Sequence, residues 1–323
     1  MLSLYKELNY HTKGLSHILI LKDGRLSSSA ADNTLIIYNK DTFEPDIIIR
    51  EHTNYVNYHI QLKNENIVTC SWDNTLKIIK LIPNNKYEVI QVLEGHTFYV
   101  DKALETEDGK LITSADDKYV IIWKKNENNN LFEIEKKFII SEEDCPNANI
   151  IFINDNLLLC SSMYECRLSF FEVKNDFQFI FSFTNIYCCF SRNSILYLKE
   201  KDLLLVGGRD DNGIYLFKFA NFPKFIGKYN ICDFIEEISI VYCIILNSEG
   251  DILIGLEQNN KNNIFKFKIH ENNKDLIFVN KQESAHEDLI NGIIDWKKRN
   301  FIVSCSRDQK VKIWKVNNKG EKK

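Results

Sequence analysis

A histidine stands ahead of an aspartate at nearly fixed spacing four times along this chain, and few folds accommodate such a pattern. His11, His52, His96 and His286 precede Asp32, Asp73, Asp117 and Asp308 by 21, 21, 21 and 22 residues. Four residues before each Asp lies a hydroxyl, at Ser28, Thr69, Thr113 and Ser304. Six residues after it comes a large side chain, Tyr38, Ile79, Trp123 or Trp314. Each unit reads as a short apolar strand, a polar turn holding the Asp, and an alternating strand. The segments are SSSAADNTLIIYNK (27–40), VTCSWDNTLKIIK (68–80), ITSADDKYVIIWK (112–124) and VSCSRDQKVKIWK (303–315). Such self-similarity marks stacked repeats, none of which buries its apolar face alone.

The pattern resembles the WD40-repeat family, whose units run from a Gly-His pair to a Trp-Asp pair over about 40–45 residues. Gly95-His96 keeps the first pair, and Trp123 and Trp314 keep the Trp, each followed by Lys instead of Asp. The resemblance implies a hydrogen-bonded tetrad tying the inner strands of each blade. It is complete in His96, Thr113, Asp117, Trp123 and in His286, Ser304, Asp308, Trp314. It is partial in His11, Ser28, Asp32 and in His52, Thr69, Asp73, where Tyr38 and Ile79 replace the Trp. A buried Asp that accepts from a His, a hydroxyl and turn amides satisfies groups otherwise costly to bury. A His/Asp pair also suits acid–base catalysis, but a reaction needs one site and not four equivalents. The reading is structural.

Three further units are degenerate. LLLCSSMYECRLSFFEV (157–173) has Glu165 at the Asp position and Phe171 at the Trp position. LLLVGGRDDNGIYLFKF (203–219) keeps Asp211 and Phe217, and ILIGLEQNNKNNIFKFKI (252–269) keeps only strand, Asn-rich turn and strand. None has the His. The third strands end near Tyr38, Ile79, Trp123, Phe171, Phe217, Phe267 and Trp314, while LSLYKEL precedes His11 as DIIIRE precedes His52. The expected fold is therefore all-β: a seven-bladed β-propeller of four-stranded antiparallel blades, closed by the N-terminal strand pairing into the last blade. It is read as one domain over 1–316 with a short basic tail at 317–323; six blades is the alternative count.

Composition narrows the function. The 323 residues are 44% hydrophobic and 27% charged, with a net charge of −4, which disfavours a general nucleic-acid binder. No apolar run approaches the roughly 20 residues of a membrane span, and the N-terminus lacks a signal peptide's apolar stretch. Nine cysteines without CxxC or zinc-finger spacing read as reduced thiols of a cytoplasmic protein, with a nuclear location as the alternative. No phosphate loop, GxSxG elbow, HExxH or paired carboxylate is present, so the expectation is no enzyme, no cofactor and no metal. Gly207-Gly208 reads as a strand-to-turn pair.

Function is then expected on a surface. In WD40 proteins the narrower face is lined three and five residues after the His and just before the Asp. Carried over, blade 2 offers Tyr55, Asn57 and Trp72, and blade 3 offers Tyr99, Asp101 and Asp116. Blade 7 offers Leu289, Asn291 and Arg307, and blade 1 only Gly14, Ser16 and Ala31. Asp210 is the turn residue of blade 5. In YVNYHIQL, alternation puts Tyr55, Asn57, His59 and Gln61 on one side. Trp72 stands out because its counterparts are Ala31, Asp116 and Arg307, and Trp, Tyr and Arg dominate interface hot spots; packing along the blade edge is the other reading. Lys297–Arg299, Asn126–Asn130 and the basic tail read as solvated loops and a frayed end, and 233–242 as an irregular connection. The leading expectation is a non-catalytic interaction scaffold, a monomer within a hetero-complex that binds proteins or peptide segments. The alternatives are an adaptor of the ubiquitin-ligase or cytosolic iron–sulfur targeting type, a propeller hydrolase, and a small-ligand binder.

Overall fold

The computed structural model describes residues 2–140, 148–162, 167–184, 193–208, 213–219, 223–230, 240–258, 261–270 and 275–317. Glu165, Asp210, Asp211, five cysteines (Cys145, Cys166, Cys188, Cys189, Cys232), most of 233–242 and the tail from 318 lie outside them.

The short strand–turn–strand units fold into four-stranded antiparallel sheets. After β1 (Leu2–Leu8), blade 1 holds β2 (Leu15–Ile20), β3 (Leu26–Ala30), β4 (Leu35–Tyr38) and β5 (Pro45–Ile49). Blade 2 holds β6 (Val56–Gln61), β7 (Ile67–Ser71), β8 (Leu76–Ile82) and β9 (Lys86–Leu93). Blade 3 holds β10 (Val100–Glu105), β11 (Leu111–Ala115), β12 (Tyr119–Lys125) and β13 (Phe132–Ile139). Blade 4 holds β14 (Ala148–Asn154), β15 (Leu157–Ser162), β16 (Arg167–Glu172) and β17 (Gln178–Phe183). Blade 5 holds β18 (Ile195–Leu198), β19 (Leu203–Gly207), β20 (Gly213–Phe219) and β21 (Pro223–Asn230). Blade 6 holds β22 (Val241–Leu246), β23 (Ile252–Gln258), β24 (Lys261–Ile269) and β25 (Leu276–His286). Blade 7 holds β26 (Ile290–Trp296), β27 (Phe301–Ser306) and β28 (Val311–Val316), and takes β1 as its outer strand in the order β1-β28-β27-β26. The fold is the expected seven-bladed β-propeller, with the N-terminal strand completing the last blade.

Two compact units divide the chain, one of Met1–Ile18 with Tyr187–Lys323, the other Leu19–Ile186. In each, the core lies between successive blades. In the second unit, Val68, Cys70 and Ile78 of blade 2 meet Leu111, Ile121 and Trp123 of blade 3. In the first, Leu253 and Ile264 of blade 6 meet Ile293, Ile302 and Trp314 of blade 7.

One irregularity recurs in all seven blades. The outermost strand carries a β-bulge opposite the large residue at or near the end of the third strand: Tyr38, Ile79, Trp123, Phe171, Phe217, Phe267 or Trp314. A bulge adds a residue and strengthens local twist, so the outer strand bends at that bulky side chain. The shared register places Phe171, Phe217 and Phe267 where the tetrad Trp stands, although their blades lack the His.

Turns at one end of the blades are latched in a repeated way. The amides of Lys22, Lys63 and Ser248 each donate to a side-chain oxygen of the next blade: Gln61 at 2.7 Å, Glu105 at 2.7 Å and Asp295 at 2.5 Å. Lys22 Nζ donates to the carbonyls of Leu62 and Lys63, both at 2.9 Å, and Lys63 Nζ repeats the reach to Thr106 and Glu107 at 3.2 and 2.8 Å. Orphan turn carbonyls are satisfied by the preceding blade.

Candidate functional site

Turn geometry fixes the tetrads first. In blade 3, His96 Nδ1 meets Asp117 Oδ2 at 3.0 Å, His96 Nε2 meets Thr113 Oγ1 at 2.8 Å, and Trp123 Nε1 donates to the same Oγ1 at 2.9 Å. Blade 7 repeats this with His286–Asp308 at 2.8 Å, His286–Ser304 at 2.7 Å and Trp314–Ser304 at 2.8 Å. In blade 2, His52 joins Asp73 at 2.8 Å and Thr69 at 2.7 Å, and the buried Ile79 fills the Trp position with no donor. In blade 1, the Tyr38 hydroxyl lies 2.8 Å from Ser28 Oγ, so phenol replaces indole, while Asp32 accepts from the Thr34 amide and hydroxyl at 3.2 and 2.6 Å.

Each tetrad carboxylate also accepts turn amides: Thr53 and Thr75 on Asp73, Thr97 and Tyr119 on Asp117, Glu287 and Lys310 on Asp308. Burial raises these carboxyls, but hydrogen bonds and charge from the histidines and the amides outweigh it and hold all three below the ordinary range. Burial pushes His286 down against the pull of Asp308. Both depressions act with one sign. Stability is complete above the unfolded-state values, about 6.5 for His and 3.9 for Asp, and is lost as pH falls through the folded ones. The melting temperature should fall by a few degrees between about pH 7 and pH 5, then more steeply below about pH 4. Calorimetry across that range checks it, and a flat profile down to the carboxylate range would remove His286 from the account.

On this frame the second unit builds an aromatic ladder. Trp72 precedes Asp73, and its amide donates to Tyr55 O at 2.9 Å; the Asp116 amide does the same to Tyr99 O at 2.9 Å. The Trp72 ring therefore stacks between Tyr55 (centroids 4.7 Å, 16°) and Tyr99 (4.6 Å, 11°). Phe98 packs against Tyr99 with centroids 4.3 Å apart, tilted by 34° out of the stack. Tyr55, Trp72 and Tyr99 are half-buried, and Phe98 is 46% exposed. Trp72 Nε1 is shielded and has no hydrogen-bond partner.

Two residues expected on this face are not exposed. Asn57 and Asp101 are only 2% and 1% accessible. The strand register skips each of them, between Val56 and Tyr58 and between Val100 and Lys102, so each sits in a bulge that breaks the assumed alternation. The bulge turns Asn57 sideways, where Nδ2 donates to Asp101 Oδ1 at 3.0 Å and Val100 O at 3.3 Å of blade 3. In the first unit Asn291 occupies the same bulge, and its Nδ2 donates to Leu15 O at 2.6 Å. These side chains staple one blade to the next. Alternation also misplaced His59, which is buried between Ser27 and Ser29 at 2.9 and 3.1 Å.

The first unit holds the blade 7 set separately. Arg307 is exposed and Leu289 half-buried, joined by the Arg307 amide to Leu289 O at 3.0 Å. Gly14 leaves no room for a side chain, since a Cβ there would lie 2.9 Å from Arg307 Cα. Ser16, Ala31 and Asp116 are of intermediate exposure.

Sequence reasoning missed Phe98. The position two residues after the His is Lys13, Asn54 or Asp288 in the other repeats. Asn54 Oδ1 accepts the Tyr55 amide at 2.9 Å, and Asp288 Oδ1 accepts the Leu289 amide at 2.6 Å. Reading that column shows Lys13 and Phe98 standing where Asn54 and Asp288 bond a turn amide, and of the two Phe98 is the apolar one.

Among the described residues no cluster of three or more His, Cys, Asp or Glu side chains could hold a metal ion, and no helix is long and apolar enough to cross a membrane. The chain is 26% identical over 119 residues to Cross-pathway control WD-repeat protein 2 of Flammulina velutipes, covering 36% of this chain and 35% of that protein. It is 31% identical over 98 residues to Small ribosomal subunit protein RACK1 of Drosophila melanogaster, covering 28% of this chain and 29% of that one. The chain thus spans about a third of the length of these relatives. Residues 87–124 and 280–315 match WD40, the WD domain, G-beta repeat family. Those two stretches contain the two complete tetrads, and the bulge register carries the same blade through the other five repeats; the chain carries WD40 repeats at 87–124 and 280–315 and folds as a seven-bladed β-propeller.

Proposed function

We propose that this chain is a non-catalytic protein–protein interaction scaffold, a propeller subunit of a larger complex that docks partners on the Tyr55–Trp72–Tyr99 face. The observation that carries it is the ladder itself, three stacked, half-buried rings on turns held by the complete tetrad of blade 3 and the His52–Thr69–Asp73 triad of blade 2. Rigid aromatic side chains give large contact area at little entropic cost, and a preformed surface loses little freedom on binding. The relative named as a small ribosomal subunit protein supports membership of an assembly. The buried free thiols of Cys70, Cys160, Cys243 and Cys305 support a reducing compartment, cytoplasmic or nuclear.

The test is purification of the tagged protein from its own cells beside a Trp72→Ala/Tyr99→Ala variant whose fold is verified by circular dichroism. A defined set of proteins retained by the wild type and lost by the folded variant is the expected result. An unchanged set would move the docking face elsewhere, and no set with either form would sink the scaffold reading.

A further inference from the structure

β1 stands last in the sheet order β1-β28-β27-β26, and among the described residues no strand pairs with its outer side. Each blade ends in such an edge, so what flanks it decides its use. Leu2 and Leu4 lie opposite Val316 and Trp314, on the face that meets blade 6. Leu4 is nonetheless 52% exposed, and beside Leu2 the two blades leave a groove floored by Leu253, Ile264, Ile302 and Val316. On the other face Tyr5 is 56% exposed and stacks on Phe301 with centroids 4.8 Å apart. Lys315 stands opposite Phe301 in the ladder.

Charge at that end is uncompensated. The turn between β26 and β27, residues 297–300, holds Lys297, Lys298 and Arg299 and no carboxylate. Its counterparts at 22–25, 63–66, 107–110, 155–156, 199–202 and 248–251 each hold at least one Asp or Glu. Trp296 and Phe301 bracket this turn as a cross-strand pair, so it adjoins the Tyr5–Lys315 face. Every carboxylate of blade 7 is engaged: Glu7 with Lys310 and Lys312, Glu287 with Lys310, Asp288 and Asp295 with the Leu289 and Ser248 amides, and Asp308 in its tetrad. In blade 6, Lys266 holds Glu249 and Asp251, and Lys281 holds Glu283. Arg299 lies over the Trp296 ring at 4.8 Å. Lys297, Lys298 and Lys315 are exposed, and their amines have no partner among the described residues.

Lysines beside an edge keep neutral strands away, but they draw an acidic one. A strand added to the edge points successive side chains to opposite faces. We propose that the outer edge of β1 takes an extended acidic segment of a partner protein in which apolar and acidic residues alternate. Its apolar side chains lie toward Leu2, Leu4 and the groove, and its carboxylates toward Lys315 and the Lys297–Lys298 turn. A nucleic acid or an anionic membrane answers the lysines alone, having neither strand amides for the edge nor a side chain for the groove. This surface belongs to the compact unit that does not contain the aromatic ladder, so it stands apart from the face proposed above.

The experiment titrates the full chain with short fluorescent peptides: Val alternating with Glu, the same residues in two blocks, Val alternating with Lys, and the first peptide with its backbone amides N-methylated. The alternating acidic peptide is expected to bind at least about tenfold more tightly than the lysine form, the change that a few exposed ion pairs supply. The blocked and N-methylated forms should bind more weakly than it does, and added salt should weaken it. Lys297→Glu/Lys298→Glu alters two side chains that bond nothing, so its melting temperature should match wild type while affinity falls about tenfold. The Trp72→Ala/Tyr99→Ala variant should bind the peptide as wild type does. Blocked and alternating peptides that bind alike, N-methylation without effect, a lysine form that binds as well, or unchanged binding by the double lysine variant would each overturn the proposal. So would a uridine-tract RNA or a phosphatidylserine vesicle that binds as tightly and displaces the peptide.

Discussion

Asp308→Ala should lower the unfolding free energy by about 3–5 kcal/mol, the range seen when one member of a buried, bonded pair is deleted. The carboxylate is 3% exposed and accepts from His286 Nδ1 and from the Glu287 and Lys310 amides. Alanine leaves three donors without the acceptor they share. Trp314→Phe removes a single donor to Ser304 and should cost about 1 kcal/mol from that bond, plus the smaller ring's lost packing. Denaturant unfolding of the two variants beside wild type checks the ratio. If Asp308→Ala cost no more than Trp314→Phe, the turn would be held by packing and the tetrad would be incidental.

Deleting residues 2–8 should have a comparable effect by another route. β1 pairs with β28 from Leu2↔Val316 to Leu8↔Val311, and Leu8 is 2% exposed. Burying one leucine contributes about 1.5–3 kcal/mol, and the backbone bonds of the ladder add to it. Removal turns β28 into a bare edge, the condition that invites strands from other chains. The shortened protein should melt well below wild type and aggregate, and a synthetic LSLYKEL peptide added in excess should restore much of the loss. Unaltered melting of the shortened chain would mean that β1 is decoration.

What was legible in the sequence follows from which contacts are local. The turn Asp, its hydroxyl and the upstream His keep fixed spacing because one blade forms them all, so blades 1, 2, 3 and 7 could be read directly. LSLYKEL could be placed as an outer strand because it stands before His11 as DIIIRE stands before His52. Blades 4 to 6 could not be registered without a His, and the bulge opposite Phe171, Phe217 and Phe267 supplies what the motif lacks. Inner-strand bulges at Asn57, Asp101 and Asn291 leave no mark in a period-two pattern, which is why those side chains were assigned to solvent. Phe98 was passed over for a different reason. The resemblance presents outward the residue after it, Tyr99, and Phe98 shares its departure from Asn or Asp with Lys13.

The pairing of the first strand with the last also sets a timetable. Leu2 meets Val316, and some 314 residues separate the two ends of that ladder. At roughly 5–20 residues per second of synthesis, β1 waits on the order of 15–60 seconds for the strand that will hold it. Blade 2 can close as soon as its own four strands have emerged, but blade 7 can close only when β28 leaves the ribosome. Throughout that interval Leu2, Leu4 and Leu8 travel on an unpaired strand, and a transcript cut short anywhere before Val311 leaves them so permanently. Closure of blade 7 is therefore expected to come after that of the other blades, once β28 is available to pair with β1.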